Sequence, residues 1–259
     1  MRRPTNGLAG VKKALLLLSQ FTEQRPALTG QELSQLVRLP LSTTYRLMRA
    51  LRDLELLEYD RVLHKYLLGS KLFELGSRFY KQLDVVRRGR PVMERLVRDC
   101  RETVLMTRQH GGRVICVDKI ESLQTILFSI EPGTELPLYK GAASKVLLAF
   151  LSEAELQGVI RGVVRARGRG GRPPAGLHDE LERIRKRGYA FTSGEVVADA
   201  WAVSVPVFDS FGRIAAGVSV AGPVHRLVSE QVEPLARRLM AGAEEISLAL
   251  GARLISARK

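Results

Sequence analysis

Residues 28–57, LTGQELSQLVRLPLSTTYRLMRALRDLELL, limit the fold more sharply than any other stretch, because they spell two short helices around a proline-containing turn. Thr29 is placed to cap the first helix, and Glu32, three residues on, to bond back to the Thr29 N–H; Leu28 and Leu33 stand where a hydrophobic staple needs them. Leu33, Leu36 and Val37 point inward, and Arg38-Leu39-Pro40-Leu41 breaks the helix. The spacing predicts that the next helix starts at Ser42, a good N-cap. Leu47, Leu51 and Leu54 then face a core, while Ser42, Thr43, Tyr45, Arg46, Arg49 and Arg52 lie largely on other faces. Upstream, Val11, Ala14, Leu15, Leu18 and Phe21 repeat at three and four residues, one apolar helix face that Pro26 terminates. Downstream, residues 56–59 and 65–68 read as two short strands around a 60–64 turn, a β-wing.

Helix, helix, tight turn, helix and hairpin is the order of a winged helix-turn-helix. In that unit the second helix of the pair enters the DNA major groove while the first crosses the backbone. Arg can read guanine with two bonds, and Ser and Thr reach phosphates or base edges. The candidate DNA contacts are therefore Thr29, Ser42, Thr43, Thr44, Tyr45, Arg46, Arg49 and Lys65. Charge agrees: residues 1–70 hold 11 Lys and Arg against 6 Asp and Glu, and the whole chain carries a net +14. Such an excess favours a polyanionic partner. A small helical core with a solvated basic face is the bland alternative.

The remaining chain reads as a second, mixed domain. Helical spacing runs over 71–79 (Leu72, Leu75, Phe79) and 85–101. Strand-like runs follow at 103–109, 114–119 and 125–130, then a helix at 143–151. Leu151-Ser152-Glu153-Ala154-Glu155-Leu156 repeats the capping box and staple, so another helix begins there. Residues 161–174 hold five Arg, no acid and many Gly and Pro, and read as a solvated loop, with extra contact to DNA phosphates as the sharper reading. A helix over 177–187, strands at 201–208 and 214–220 joined by Asp209-Ser210-Phe211-Gly212, and a long helix over 229–250 complete the pass. The expected organisation is α+β: a DNA-binding domain at 1–69, a linker helix at 70–84 and an α/β domain at 85–259.

Other features read as structural. Cys100 and Cys116 make neither a disulfide framework nor a metal site, suit a reducing cytoplasm, and are expected as buried small side chains. His64 belongs to the wing tip, and His110, His178 and His225 lack metal-binding spacing. Adjacent Ser144 and Lys145 do not face one another on a helix, so no Ser–Lys nucleophile is expected. The apolar run at 14–18 is too short for a secretory core or a membrane span. No cofactor, metal, membrane partner or catalytic set is predicted.

The chain resembles the IclR-type regulators, over roughly residues 8 to 250. The resemblance rests on LTGQELSQLVRLPLSTTYRLMRAL, PLYKGAASKVLLAFL (137–151), RKRGYAFTSGE (185–195) and VPVFDSFGRIAAGVSVAGP (205–223), in order and at normal separations. It implies a transcription regulator with a GAF-like α/β effector domain, acting as a homodimer or a dimer of dimers on double-stranded operator DNA. It also implies a ligand pocket on the concave face of a sheet, lined by Gly141, Ala142, Ala143, Thr192, Ala202, Ser204, Ser219 and Ala221. Ser219 stands where relatives place a carboxylate-binding serine. Ala221, Ala202 and Thr192 replace more polar or reactive residues, and Tyr139 and Ser144 replace a His and a Gly found in many relatives. The less polar Ala221, Ala202 and Thr192 point to a larger, partly apolar or aromatic acid. The competing classes are a ligand-free architectural DNA-binding protein and an enzyme built on the α/β domain.

Overall fold

The computed structural model describes residues 5–22, 24–168, 172–226 and 229–252. The chain divides into two compact units, Met1–Gln82 and Leu83–Lys259.

The first unit holds α1 (Thr5–Leu18), α2 (Gly30–Val37), α3 (Leu41–Asp53), the antiparallel strands β1 (Leu57–Asp60) and β2 (Lys65–Leu68), and α4 (Ser70–Lys81). Its core is Leu17, Phe21, Leu28, Leu33, Met48, Leu51 and Leu57. The Thr29–Glu32 capping box forms as predicted. Leu28 and Tyr66 exchange backbone hydrogen bonds at 2.9 and 2.8 Å, which ties the wing to the entry of α2.

Three expectations shift. Helix α1 ends at Leu18, well before Pro26, and Val11 and Leu15 are exposed, with Leu17 the buried centre of its inner face. Helix α3 starts at Leu41, not Ser42, because the Pro40 carbonyl already accepts the Thr44 N–H at 3.0 Å; the N-cap is Pro40, which offers no side-chain bond. The buried stripe of α3 is Thr44, Met48 and Leu51, while Leu47 is half-buried and Leu54 is 63% exposed. Thr44 can be buried because its hydroxyl donates to the Pro40 carbonyl at 3.2 Å.

The second unit is built on a six-stranded antiparallel sheet. Its strands are β3 (Thr103–His110), β4 (Arg113–Ile120), β5 (Glu135–Leu136), β6 (Ala190–Ser193), β7 (Ala200–Phe208) and β8 (Ile214–Pro223), in spatial order β5-β4-β3-β8-β7-β6. Successive side chains in a strand point to opposite faces. Val104, Met106, Val203, Val205, Val218 and Val220 therefore share one face, and α5 (Asp84–Cys100) and α9 (Val232–Ala249) cover it. The other face carries Leu105, Ala202, Ser204, Ser219 and Ala221, with α6 (Ala142–Ala149) lying against β7 and β8. Helices α7 (Glu153–Arg167) and α8 (Leu177–Arg187) pack outside α6.

No strand forms at 125–130. Gly133 and Thr134 bond to Cys116 instead, and β5 takes the free edge of β4. That frees 121–134 to cross the second face of the sheet. The basic stretch from Arg161 is helical as far as Arg167, as the tail of α7, rather than loop; residues 169–171 lie outside the described residues. Strand β6 was not anticipated. Burial pushes the Cys100 thiol up to about 11 and the Cys116 thiol up to about 12, so both stay protonated near neutral pH and behave as small apolar groups.

Candidate functional site

The candidate residues gather on two surfaces, one in each unit. In the first, α2 and α3 are joined by a turn in which Arg38 adopts a left-handed conformation (φ 53°) and the Ser34 hydroxyl donates to the Leu39 carbonyl at 2.7 Å. The apolar stripe of α3 fixes its rotation, so Ser42, Tyr45, Arg46 and Arg49 are presented outward. Thr43 is half-buried at the edge of this face. Thr44 is removed from the candidate contacts, since it is fully buried and bonded inside the helix. The Thr29 hydroxyl is occupied by the capping box, accepting from the Glu32 N–H at 3.2 Å and donating to Glu32 Oε2 at 2.9 Å. Lys65 is half-buried and pairs across the wing with Asp60. Asp60 Oδ1 accepts the Val62 and Leu63 N–H groups at 2.8 and 2.9 Å, which shapes the wing tip and exposes Arg61, a cation the sequence reading left out.

In the second unit a cavity of about 50 Å³ lies between the start of α6 and the sheet. It brings together Gly141, Ala142, Ala143, Thr192, Ala202, Ser219 and Ala221, all expected from the sequence. Ser204 is not among its walls. It sits opposite Ser219 in the β7–β8 register, fully buried, and its hydroxyl accepts from Ser219 at 2.8 Å, so it orients Ser219 rather than touching the cavity. Most of the remaining wall is apolar, including Leu105, Phe128, Ile130, Leu136 and Trp201.

The sequence reading missed the charged corner of this site. Gly141 (φ 81°) and Ala142 open α6, and their N–H groups are held by Glu195 Oε2 at 2.9 Å and Thr192 Oγ1 at 3.0 Å. Glu195 Oε1 also pairs at 2.7 Å with Lys145, which pairs with Glu180 at the same distance. Lys145 is therefore buried with two carboxylates, and the corner ties α6 to α8 and to the segment after β6. Lys140, also missed, lines the cavity, as do Val196 and Val197 beside Glu195, and Ser144, one of the departures from the family pattern. A Cβ on Gly141 would meet Val196 Cγ2 at 2.6 Å, so this glycine serves both its positive φ and the close approach of the covering segment. Among the described residues no cluster of His, Cys, Asp and Glu is arranged to hold a metal, and no helix is long and apolar enough to cross a membrane.

The sequence matches the family described as bacterial transcriptional regulator IclR C-terminal over residues 78–248, and the IclR helix-turn-helix domain over residues 10–61. The chain belongs to the IclR family of transcriptional regulators. The HTH-type transcriptional regulator KdgR of Escherichia coli K12 is 30% identical over 248 residues, covering 95% of this chain and 94% of its own. The crystal structure of the Thermotoga maritima IclR superimposes with a TM-score of 0.70 at 29% identity, covering 94% of this chain and 99% of that one. An IclR homolog from Microbacterium hydrocarbonoxydans, solved in complex with 4-hydroxybenzoate, shares the fold with a TM-score of 0.77 at 23% identity, covering 93% and 98%. The IclR helix-turn-helix match runs from α1 to the turn of the wing and so includes α2–turn–α3, and the IclR C-terminal match covers the sheet domain that holds the cavity.

Proposed function

We propose that this IclR-type regulator binds double-stranded operator DNA as a homo-oligomer through the outer face of α3 and the wing. In this reading an organic acid entering the α6 cavity changes the operator affinity. The observation that carries the reading is the exposure of Arg46 and Arg49 on a helix whose opposite face is locked into a core by Thr44, Met48 and Leu51. The cavity supports the second half: it is largely apolar with a few convergent polar groups, the composition of a small-molecule site. The complex of an IclR homolog of the same fold with 4-hydroxybenzoate supports an aromatic acid as the kind of ligand. Phe73 and Phe79 on α4 are 81% and 58% exposed, and Leu15 and Leu16 on α1 are exposed as well, surface that a second copy would cover. Two such reading heads would address a two-fold operator. The cavity is read as a binding site without catalysis, and the protein as acting in the cytoplasm.

Arg46→Ala is expected to weaken operator binding by about 1–3 kcal/mol, the loss typical of one base-reading arginine. Fluorescence anisotropy with the operator duplex at fixed salt measures it. Unchanged affinity removes Arg46 from the interface.

A further inference from the structure

The tip of the wing is both stiff and apolar. Strands β1 and β2 pair along their full length, and the Tyr59 and Tyr66 rings meet across them with centroids 4.8 Å apart. Asp60 fixes the turn through the Val62 and Leu63 N–H groups, and the Tyr59 hydroxyl and His64 Nδ1 bond at 3.2 Å. His64 holds a left-handed conformation (φ 52°), which glycine adopts with less strain. This turn presents Val62, 88% exposed, next to Leu63, 57% exposed. Turns favour Gly, Asn, Asp and Ser, and neither Val62 nor Leu63 belongs to the core of the first unit, so the fold gains no burial from them.

The surroundings of the tip narrow its occupant. Arg61 precedes the two aliphatic residues and Lys65 follows them, and Asp60, spent on the turn, is the one acid in 59–66. An apolar tip between cations fits a polyanion that offers apolar surface between its charges. The minor groove of duplex DNA does so, with sugars and base steps between two rows of phosphate. The wing is also continuous with the reading helix. Tyr45 on the outer face of α3 packs on Gly30, where a Cβ would meet Tyr45 Cζ at 2.7 Å. Leu28, two residues earlier, exchanges backbone hydrogen bonds with Tyr66 of the wing. One short stretch thus anchors both.

Resting on the reading of α3 and the wing as the DNA-binding surface, we propose that Val62 and Leu63 form a wedge that enters the minor groove beside the α3 site, parts a base step and bends the operator. Arg61 and Lys65 take the flanking phosphates. Wedges of this kind kink a duplex by about 20–90°. Sequence preference then arises without a base-edge hydrogen bond, because the step under the tip must unstack easily, as pyrimidine–purine steps do.

The test uses the full chain and the duplex that it enriches most from a random pool, labelled at both ends for energy transfer. The bound duplex is expected to bend by about 20° or more per half-site. In the double variant Val62→Ser with Leu63→Ser the backbone bonds to Asp60 survive, so its thermal midpoint should match the parent's. Its bend should fall by about half or more and its affinity about tenfold. Val62→Met with Leu63→Met keeps an apolar tip and should keep the bend. In a repeated selection the serine variant should lose preference at the step beneath the tip and retain the bases read by α3. A straight duplex under the bound parent, or an unchanged bend under the serine variant, overturns the wedge and leaves the α3 reading standing. A serine variant with an altered oligomeric state in sedimentation and an unchanged bend assigns the tip to a second copy and also overturns the proposal. If the parent enriches no duplex, the DNA-binding reading itself falls, and the wedge with it.

Discussion

Lys145→Met destabilises the second unit by about 2–4 kcal/mol, toward the lower part of the range for breaking a buried ion pair because the carboxylates keep some water. Lys145 is 7% exposed, and its partners Glu180 and Glu195 are 32% and 33% exposed. Methionine keeps the length and the packing of the stem but removes the charge, leaving two carboxylates facing an apolar group and each other. Trp201 is the only tryptophan of the chain and lies within the core of this unit. Its fluorescence therefore follows unfolding of the second unit selectively in a urea titration. The triple variant with Glu180→Gln and Glu195→Gln should regain most of the loss, because replacing the whole charged group is far cheaper than orphaning part of it. A Lys145→Met midpoint equal to the parent's would show that the corner is a solvated surface pair.

Ala143→Leu abolishes the ligand response. Ala143 lines a cavity of about 50 Å³, and leucine adds three carbons where there is no room for both them and a ligand. A ligand shifts an equilibrium only by its differential affinity for the two states, and the coupling is reciprocal. In the parent, an organic acid that binds the cavity should change operator affinity by the same factor by which operator changes its affinity, with a typical coupling of about 1–3 kcal/mol. In Ala143→Leu the operator affinity should be the same with and without the acid. A retained response would place the effector elsewhere.

Much of this architecture is legible in local sequence, and what is not has a physical reason. The Thr29–Glu32 and Ser152–Glu155 capping boxes form as read, because both partners lie within one helical turn. The register of α3 was harder. A polar Thr44 takes a core position by bonding to Pro40, so a stripe drawn through leucines alone finds Leu51 and the half-buried Leu47 but misses Thr44 and Met48 and wrongly adds Leu54. Pocket residues on β7 and β8 follow from strand parity once the resemblance places the site. The Gly141–Glu195 bond joins residues 54 apart, and nothing in a single sequence marks such a pair. Adjacent Ser144 and Lys145 do not face one another on α6, and each has its own place: one as a buried hydroxyl without a partner among the described residues, the other as a buried cation. The Ser204–Ser219 bond explains why one expected pocket serine supports the other instead of lining the cavity.

The most direct test of the account is selection of bound sequences from a random duplex pool by the full chain, beside Arg46→Ala. The parent is predicted to enrich one two-fold symmetric sequence, and Arg46→Ala to lose preference at one base pair in each half-site while keeping the rest of the pattern. Enrichment of no sequence by the parent, or an identical pattern from Arg46→Ala, would contradict a regulator that reads its operator through α3.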